Sequence, residues 1–341
     1  MTNTTAAPPS TLLDVARLAG VSPSTVSRIL NGTARVSSDK RQAVLAAIAA
    51  VNFAPNPMAQ GLKKGRSMTI GIVVQDIASP FFNETLHGVD DALKGSGYAS
   101  VIVSGHWNAA EEAARIRLLV ARKVDGIILL SGELSDPEVL QFARQRPIVA
   151  TGRQLDHPQA TGFKIDNEGG AHLAMRHLIE LGHRRIAFIA GPAEHQDASE
   201  RLAGYRRALR EADIAIDPGL IVGGDFHEAS GMLAVNHLFE TGQQFSAIFA
   251  ANDLSAYGAR LSLYRKGVRV PDDISLIGFD DLPGSSYTTP PLTTVRQPLL
   301  DIGRGAATAL LRLIDGNPAR TVALPMPPLE LVVRETTRRL R

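Results

Sequence analysis

From residue 68 onward, short apolar runs alternate with amphipathic helical segments. Each run has the length of a buried strand, and each segment between runs repeats its apolar residues at helical spacing. Strands that alternate with helices form parallel sheets covered by helices on both faces. Because eight such runs over about 260 residues exceed one compact sheet, we expect two α/β lobes. The runs are TIGIVV, ASVIV, GIILL, PIVAT, RIAFIAG, GLIVGG, SAIFAA and ISLIGF.

The C-terminal part of the pattern adds a few more elements. TTVRQPLLDIGRGAATALLRLI predicts one further strand and helix, and VALPMPPLELVV predicts two short strand-like pieces. The pattern leaves open whether the late strand and helix return to the first lobe. The helices predicted between the eight runs cover residues 81–94, 111–121, 169–181, 201–212, 229–241 and 254–266.

Ahead of this α/β pattern, TLLDVARLAGVSPSTVSRILNG predicts two short helices joined by a tight turn. Gly20 and Val21 make the turn, Ser22 is a good N-cap, and Pro23 suits the first helical position because no N–H donor is needed there. Two helices joined in this way form a helix-turn-helix, whose second helix fits the DNA major groove. The alternative is a helical hairpin in another kind of small bundle. A third helix should follow, capped by Ser37 or Ser38, with an apolar stripe of Val44, Leu45, Ile48 and Val51.

Charge supports the DNA interpretation. Residues 1–66 carry eight basic and two acidic residues, a net charge of +6, whereas residues 67–341 carry 28 basic and 32 acidic residues, a net charge of −4. A chain that holds phosphates with one end only is expected to show this asymmetry.

Several classes of protein fit the sequence poorly. The chain has no cysteine, which excludes disulfides and thiolate zinc sites and suits a reducing cytoplasm. Residues 1–10 lack the basic and apolar regions of a signal peptide, so we expect a disordered tail there. No apolar run approaches the roughly twenty residues that span a bilayer. The motifs GxSxG, Walker A, HExxH and GxGxxG are missing, and no cofactor or metal is predicted; an enzyme is therefore the weaker alternative.

Candidate ligand-binding residues follow the predicted strands. In open parallel sheets, ligands bind outside the carboxyl ends of the strands. Aromatic faces that stack on a ring, together with Arg, Asp, Asn and Gln side chains that pair with hydroxyls, suit a polyhydroxylated ligand. Residues in these positions are Ser79, Phe81, Phe82, His106, Trp107, Arg153, His195, Asp197, Arg201, Phe226, Asn252, Asp280 and Gln297.

Taken together, the motifs resemble those of the lactose-repressor (LacI) family of bacterial transcription regulators, over about residues 11–335. The resemblance implies a homodimer that binds a pseudo-palindromic operator and a type I periplasmic-binding-protein fold whose two lobes enclose an effector. The motifs that carry it are DVARLAGVSPSTVSRILNG, APNPMAQGL, IGIVVQDIASPFF, KVDGIILL, HRRIAFIAG, FAANDLSAYGA, VPDDISLIGFDD and PPLTTVRQP.

The same resemblance implies a domain organisation. A headpiece is expected at residues 11–53, a hinge helix and linker at 54–67, and an effector-binding and dimerisation core at 68–335. Within the core, the N-lobe would comprise about 68–166 and 296–325, and the C-lobe about 167–293 and 326–335.

The implied DNA contacts lie in the headpiece and the hinge. Arg28 is the best candidate for bidentate reading of a guanine. Leu62 matches a leucine that wedges between base pairs from the minor groove, and Gly61 before it lowers helix propensity, so the hinge should depend on DNA to fold. The predicted DNA-binding residues are Thr11, Leu12, Ser22, Ser24, Thr25, Ser27, Arg28, Asn31 and Leu62.

For the effector, the resemblance to sugar-binding relatives, including the ribose-binding proteins, implies a sugar or sugar derivative, and a purine fits less well. Several sugar binders have an aspartate where this chain has Gly152, so ribose itself is not implied; His106, Trp107, His195 and Asp197 are candidates to supply the difference. The predicted ligand-binding residues are Ser79, Phe81, Phe82, Trp107, Arg153, Asp197, Arg201, Phe226, Asn252, Asp280 and Gln297.

The sequence therefore predicts a cytoplasmic repressor whose operator affinity is switched by a small ligand. It leaves open whether the ligand induces or corepresses, whether the protein also activates, and whether dimers pair into tetramers. A periplasmic sugar-binding protein is the rival from another class, and the cationic helix-turn-helix argues against it.

Overall fold

The computed structural model describes residues 10–30, 36–53, 65–318 and 326–340. The chain divides into two compact units, Met1–Met68 and Thr69–Arg341, which are described separately below. Residues 1–9 of the expected tail and the expected hinge helix, including Gly61 and Leu62, lie outside the described residues, as does Asn31.

The first unit contains three helices: α1 (Leu12–Leu18), α2 (Pro23–Leu30) and α3 (Ser38–Ala50). Thr11 and Asp14 form a capping box at the start of α1, and the Ser22 hydroxyl accepts the Thr25 N–H at 3.2 Å, as expected of an N-cap. These local signals confirm the predicted helix-turn-helix. The core that joins the helices consists of Val15, Ala16, Val26, Ile29, Val44 and Ala47.

One core prediction in this unit was wrong. Leu45 is 53% exposed, whereas Ala47 is buried beside Val44. Residues one position apart on a helix point about 100° apart, so the face that contains Val44 turns Leu45 toward solvent. Ile48 and Val51 pack at the edge of the core, as the predicted stripe requires.

The second unit contains two separate sheets, as the strand count predicted. The N-lobe sheet is entirely parallel and has the order β2-β1-β3-β4-β5. Its central strands are buried on both faces, because helices cover both sides. Its strands are β1 (Thr69–Val74), β2 (Ala99–Ser104), β3 (Gly126–Leu129), β4 (Ile148–Thr151) and β5 (Ala160–Phe163).

The C-lobe sheet has the order β11-β10-β9-β8-β6-β7, in which β11 alone is antiparallel to its neighbour. The late strand, β10, pairs with β9 and stays in this sheet. Its strands are β6 (Ile186–Ile189), β7 (Ile221–Val222), β8 (Ala247–Ala250), β9 (Ser275–Asp280), β10 (Thr293–Arg296) and β11 (Glu330–Val332).

The late helix, α11 (Leu299–Ile314), instead belongs to the N-lobe: its apolar face packs in the N-lobe core with Ile70 and Ile128. The chain therefore crosses between the lobes after β10. The helices of the second unit are α4 (Pro80–Leu93), α5 (Ala109–Ala121), α6 (Asp136–Ala143), α7 (Asn167–Glu180), α8 (Gln196–Glu211), α9 (Glu228–Glu240), α10 (Asp253–Arg265) and α11 (Leu299–Ile314).

Two elements had not been predicted. Helix α6 is short and begins at a Ser135 capping box, and β5, with the sequence ATGF, lacks a run of large apolar residues. Of the two pieces predicted in VALPMPPLELVV, the second forms β11, and the first lies outside the described residues.

Three pairs of helices pack backbone against backbone through glycine: α4 with α11, α9 with α10, and α7 with α8, where Gly204 lies against the backbone of Glu168. A Cβ atom at Gly88 of α4 would lie 2.0 Å from the Leu300 carbonyl oxygen of α11. A Cβ atom at Gly303 of α11 would lie 1.9 Å from the Thr85 carbonyl oxygen of α4. In the C-lobe, a Cβ at Gly258 of α10 would lie 1.8 Å from the Glu228 oxygen of α9. Only glycine permits these approaches.

Candidate functional site

The exposed face of α2 is the candidate DNA-reading surface. Ser22, Ser24 and Arg28 are exposed, and Thr25 and Ser27 are partly exposed, while the opposite face holds the core residues Val26 and Ile29. A helix with one apolar face and one polar, cationic face can lie in a major groove without uncovering its core.

Hydrogen bonds along this face hold its side chains in place. The Ser22 hydroxyl lies 2.9 Å from the Ser24 hydroxyl and 2.8 Å from the Thr25 hydroxyl. The Arg28 guanidinium donates from Nε to the Ser24 carbonyl at 3.4 Å. Thr11 is exposed at the start of α1, and Leu12 is partly buried beside it.

The second candidate site is the cleft between the two lobes, which contains about 590 Å³ of space, including volume open to solvent. It lies at the carboxyl ends of the parallel strands of both sheets, where ligands bind in folds of this type. The N-lobe residues that line it are Asp76, Ser79, Phe81, Phe82, Trp107 and Ser131, and the other lining residues are His195, Asp197, Arg201, Asp225, Phe226, His227, Asn252, Leu254, Asp280 and Leu282.

A continuous series of aromatic rings crosses this cleft. Phe82 lies 5.2 Å from Phe81 and 6.1 Å from Trp107, measured between ring centroids. Trp107 meets His195 of the C-lobe at 4.5 Å, and His195 meets Phe226 at 5.6 Å. Such rings offer flat apolar surfaces on which the C–H face of a sugar or a planar ring can stack.

Polar side chains at the base of the cleft form a connected network. Arg201, only 4% exposed, donates from Nε to Asn167 at 2.9 Å and from Nη1 to the Ala251 carbonyl at 2.6 Å. Its guanidinium lies 3.6 Å from the Asp280 carboxylate and over the Phe279 ring at 3.9 Å. Asn167 in turn donates to Asp197 at 3.0 Å. The network holds these polar groups in fixed positions relative to one another.

Several ionisable groups in and beside the cleft have shifted pKa values, among them Asp280, Asp253 and His195. Burial raises the pKa of Asp280 to about 6, against the attraction of Arg201, and raises the pKa of Asp253 next to the cleft to about 8. Burial lowers the pKa of His195, although Asp197 opposes the shift. Perturbed groups gathered in one cleft are typical of a functional site.

Backbone strain also concentrates at the cleft. His106, Trp107 and Phe226 have φ angles of 53°, 52° and 68°, and Asp280 has a φ angle of 114°. Residues other than glycine adopt such backbone angles at an energetic cost, so the surrounding structure must hold these residues in place.

The structure brings nine of the eleven predicted ligand-binding residues into the cleft, and it places the other two beside it. Arg153 lines an adjoining pocket, where it donates to the carbonyls of Leu134 and Gly132 and lies 3.2 Å from Asp136. Gln297 lies outside the cleft, and its side-chain amide donates a hydrogen bond of 2.7 Å to the Asp280 carboxylate. The nine in the cleft are Ser79, Phe81, Phe82, Trp107, Asp197, Arg201, Phe226, Asn252 and Asp280.

Sequence reasoning missed other lining residues. Ser131 follows β3, Asp76 follows β1 and Asp225 follows β7, so the rule of strand ends could have found all three. His195 was recognised at a strand end but left out of the predicted set. Leu254 and Leu282 carry no signal of a site, because apolar residues next to helices and strands are usually core.

Within the described ranges, no group of three or more His, Cys, Asp or Glu side chains is placed to hold a metal ion. In the same ranges, no helix is both long and apolar enough to cross a bilayer.

Comparison with known proteins identifies two family sequence patterns in the chain and a relative that matches nearly its whole length. The sequence pattern of the bacterial regulatory proteins, lacI family, matches residues 11–56, and that of the periplasmic binding protein-like domain matches residues 175–337. The chain is 34% identical over 334 residues to the HTH-type transcriptional repressor PurR of Photobacterium profundum, an alignment that covers 97% of this chain and 99% of that one.

Two solved structures share the whole fold. The lac repressor dimer bound to operator and the anti-inducer ONPF matches with a TM-score of 0.85 and 30% identity, over 97% of this chain and 100% of that chain. A complex of the transcriptional regulator CelR with cellobiose matches with a TM-score of 0.70 and 36% identity, over 96% and 99%.

A helix-turn-helix unit and a two-lobed unit with a polar, aromatic-lined cleft between its lobes define a ligand-binding transcription regulator. The chain belongs to the lacI family and is a DNA-binding transcriptional repressor with a ligand-binding domain.

Proposed function

We propose that the protein is a homodimeric cytoplasmic repressor whose affinity for a pseudo-palindromic operator is switched by a sugar or sugar derivative bound in the cleft. The observation that carries the proposal is the pairing of the aromatic series Phe81–Phe82–Trp107–His195–Phe226 with the polar network around Arg201 and Asp280. Aromatic faces beside fixed donors and acceptors are the arrangement that recognises a ring bearing hydroxyl groups.

Each of the two units has its own role in this proposal. The headpiece at 11–53 reads DNA through Ser22, Ser24, Thr25, Ser27 and Arg28, supported by Thr11, Leu12, Asn31 and the Leu62 wedge. The core at 68–335 binds the effector and dimerises. Arg153 and Gln297 join the ligand contacts from the margins of the cleft. Support for a sugar comes from the similarity to the transcriptional regulator CelR, whose structure is described as a complex with cellobiose.

The protein acts by binding and not by catalysis. A ligand switches the repressor only if it binds one lobe arrangement more tightly than the other; moving the population from 1:99 to 99:1 takes about 10⁴-fold differential affinity. The two lobes meet at the Trp107–His195 contact, so a ligand seated there touches both.

The first test is a thermal-shift panel of pentoses, hexoses, polyols, disaccharides and nucleosides on the purified full-length chain. A ligand at 100 times its dissociation constant stabilises the folded state by about 2.7 kcal/mol, which raises the melting temperature by several degrees. Any compound that shifts the melt is then added to an operator fragment selected by the protein from random DNA, and the change in fluorescence anisotropy gives the direction of the switch.

Trp107→Leu should weaken binding of that compound by about tenfold or more, since it removes the central ring of the series. Tyr287→Leu is the matched control, because this ring is 85% exposed and does not line the cleft. A compound that stabilises both variants equally, or that leaves operator affinity unchanged, would contradict the proposed function.

A further inference from the structure

The charges that line the cleft are strongly unbalanced. Four carboxylates, those of Asp76, Asp197, Asp225 and Asp280, line it, against one guanidinium, that of Arg201. These are the charged side chains among the described lining residues apart from two histidines. The chain from residue 67 onward is only mildly acidic overall, so the excess of negative charge in the cleft is local.

The single guanidinium in the cleft is already engaged by the protein. Its Nε and Nη1 donate to Asn167 and to the Ala251 carbonyl, its charge faces Asp280 at 3.6 Å, and its plane covers the Phe279 ring. An incoming phosphate or carboxylate could approach Nη2, but a bidentate contact also needs Nε or Nη1, which already donate to Asn167 and to the Ala251 carbonyl. It would also compete with Asp280 for the charge of the guanidinium.

The adjoining pocket repeats this pattern. Arg153 donates there to the Gly132 and Leu134 carbonyls and pairs with Asp136, and Glu133 and Glu194 line the same pocket. Its positive charge is therefore surrounded by carboxylates, and it faces the backbone of its own lobe.

Helix N-termini also reach the cleft, and they would attract an anion. Two of these helices carry a charged carboxylate in the first turn, which offsets the dipole: Asp197 in α8 and Glu228 in α9. Helix α10 begins with Asp253, whose pKa of about 8 leaves it mostly uncharged at pH 7, so it offsets the dipole of α10 only weakly. Helix α4 has no carboxylate there, but its first turn presents the rings of Phe81 and Phe82 to the cleft.

One further group points to an uncharged ligand. His195 is 9% exposed, and its Nδ1 has no hydrogen-bond partner among the described residues. Because burial lowers the pKa of this imidazole, the ring is neutral at pH 7 and offers no charge to an anion. A neutral imidazole nitrogen can instead pair with a hydroxyl group.

We propose that the cleft accepts an uncharged, hydroxyl-bearing ligand with one flat apolar face, and that it rejects the phosphorylated and carboxylated counterparts of the same ligand. This inference rests on the proposed function, because it concerns the ligand of the same cleft. The charge of the cleft can be tested before any ligand is known.

The first experiment uses Trp107, the only tryptophan of the chain. Its indole is 37% exposed and lines the cleft, so its fluorescence reports on the local potential. The full-length protein is quenched with iodide, caesium and acrylamide at a constant ionic strength of about 0.15 M, at which charges interact over roughly 8 Å. Each quenching constant is divided by that of N-acetyltryptophanamide.

We expect the normalised constant for caesium to exceed that for iodide by about twofold or more. The double variant Asp76→Asn/Asp225→Asn should raise the iodide constant toward the caesium value. Asp213→Asn is the matched control, since this exposed carboxylate lies beyond the far end of α8 and should change neither constant. Iodide quenching equal to or stronger than caesium quenching would overturn the proposal.

The second experiment compares matched ligands by calorimetry: each neutral sugar or nucleoside with its phosphate ester, and each hexose with its uronic acid. The anionic member of any pair that binds should bind about tenfold or more weakly. An anion that binds as tightly as its neutral partner overturns this inference and leaves the proposed function intact. The proposed function fails in a different way, when bound ligand does not change operator affinity.

Discussion

The indole of Trp107 and the imidazole of His195 meet edge to face with their ring centroids 4.5 Å apart, and they belong to different lobes. Trp107 follows β2 of the N-lobe sheet, and His195 is the N-cap residue of α8 in the C-lobe. The pair therefore joins the lobes across the cleft, and its geometry can be followed by the fluorescence of a single tryptophan.

The protonation of His195 should be visible in that fluorescence. A charged imidazole in contact with an indole quenches it, and burial holds the pKa of His195 below its usual value of 6.5. Since the unfolded chain takes up the proton first, the contribution of His195 to stability is present above pH 6.5 and is lost as the pH falls. We expect a quenching step with a midpoint below pH 6.5 when the protein is titrated from about pH 8 to about pH 5.

His195→Gln should abolish this step. His106 is the residue next to Trp107 in the chain, so His106→Gln is the control and should leave the step in place. A midpoint at or above the ordinary histidine pKa of 6.5, or a step that survives His195→Gln, would show that the ring is not buried as described.

Asp280 should make the protein less stable as the pH rises from about 4 to 6. The ordinary pKa of an aspartate is 3.8, and burial raises that of Asp280 to about 6 in the folded chain. The folded chain therefore binds more protons than the unfolded chain in this window, and the slope of stability against pH is negative. The shift corresponds to about 3 kcal/mol. As the pH rises from 3.8 to 6, the wild type should lose about this much stability, whereas Asp280→Asn should not. The free energy of unfolding of the variant, relative to that of the wild type, should therefore rise by about this amount.

This comparison is made by urea unfolding followed through Trp107, which reports on the unit Thr69–Arg341. Asn keeps an oxygen that can accept the Gln297 amide, so the variant tests charge more than shape. A difference between the two proteins that stays constant with pH would mean that folding leaves the pKa of Asp280 unchanged.

Arg28 should recognise one base pair through two hydrogen bonds from its guanidinium group. A bidentate contact to guanine contributes about 1–3 kcal/mol of discrimination. Arg28→Lys keeps the charge but lacks the fork, so specificity at one position of the selected operator should fall while the dependence of affinity on salt stays unchanged.

Fluorescence anisotropy on operator fragments with single base changes, measured at several salt concentrations, separates these effects. Arg17→Lys on α1 is the control, because Arg17 pairs with Asp14 and lies outside the predicted reading face. Equal loss of affinity for every fragment would assign Arg28 to the phosphate backbone instead.

Gly303 should not tolerate a methyl group. The Cβ of Gly303→Ala would lie 1.9 Å from the Thr85 carbonyl oxygen, so α4 and α11 would have to separate. Overpacking of this kind costs about 1–3 kcal/mol or more. Thr308→Ala lies on the exposed face of the same helix and should change stability by less than about 0.5 kcal/mol. Urea midpoints that agree for the two variants would contradict the close packing.

The elements that sequence predicted well are those with strong local signals. The capping box at Thr11, the Ser22–Pro23 start of α2 and the long apolar runs of β1 and β9 each select one conformation without help from distant residues. Helix α6 and strand β5 were missed because one is two turns long and the other contains Gly162 in place of a large apolar side chain. Their conformations depend on packing against neighbours.

The candidate site followed from one rule, that ligands bind at strand ends, and the rule located most of the cleft. It could not give the direction of long side chains. Arg153 follows β4 as expected, but its guanidinium finds the Gly132 and Leu134 carbonyls in its own lobe. The edge contact of Trp107 with His195 joins residues that are far apart along the chain, and no local pattern specifies such a meeting.

The glycine contacts between α4 and α11 have a mechanical consequence. Phe81 and Phe82 stand at the cleft end of α4, a helix of 14 residues that extends about 21 Å from there. Because Gly88 and Gly303 lock its backbone to that of α11, the two helices cannot slide past each other without steric overlap. A displacement of the phenylalanine rings along the axis of α4 therefore cannot be absorbed by slippage between these two helices.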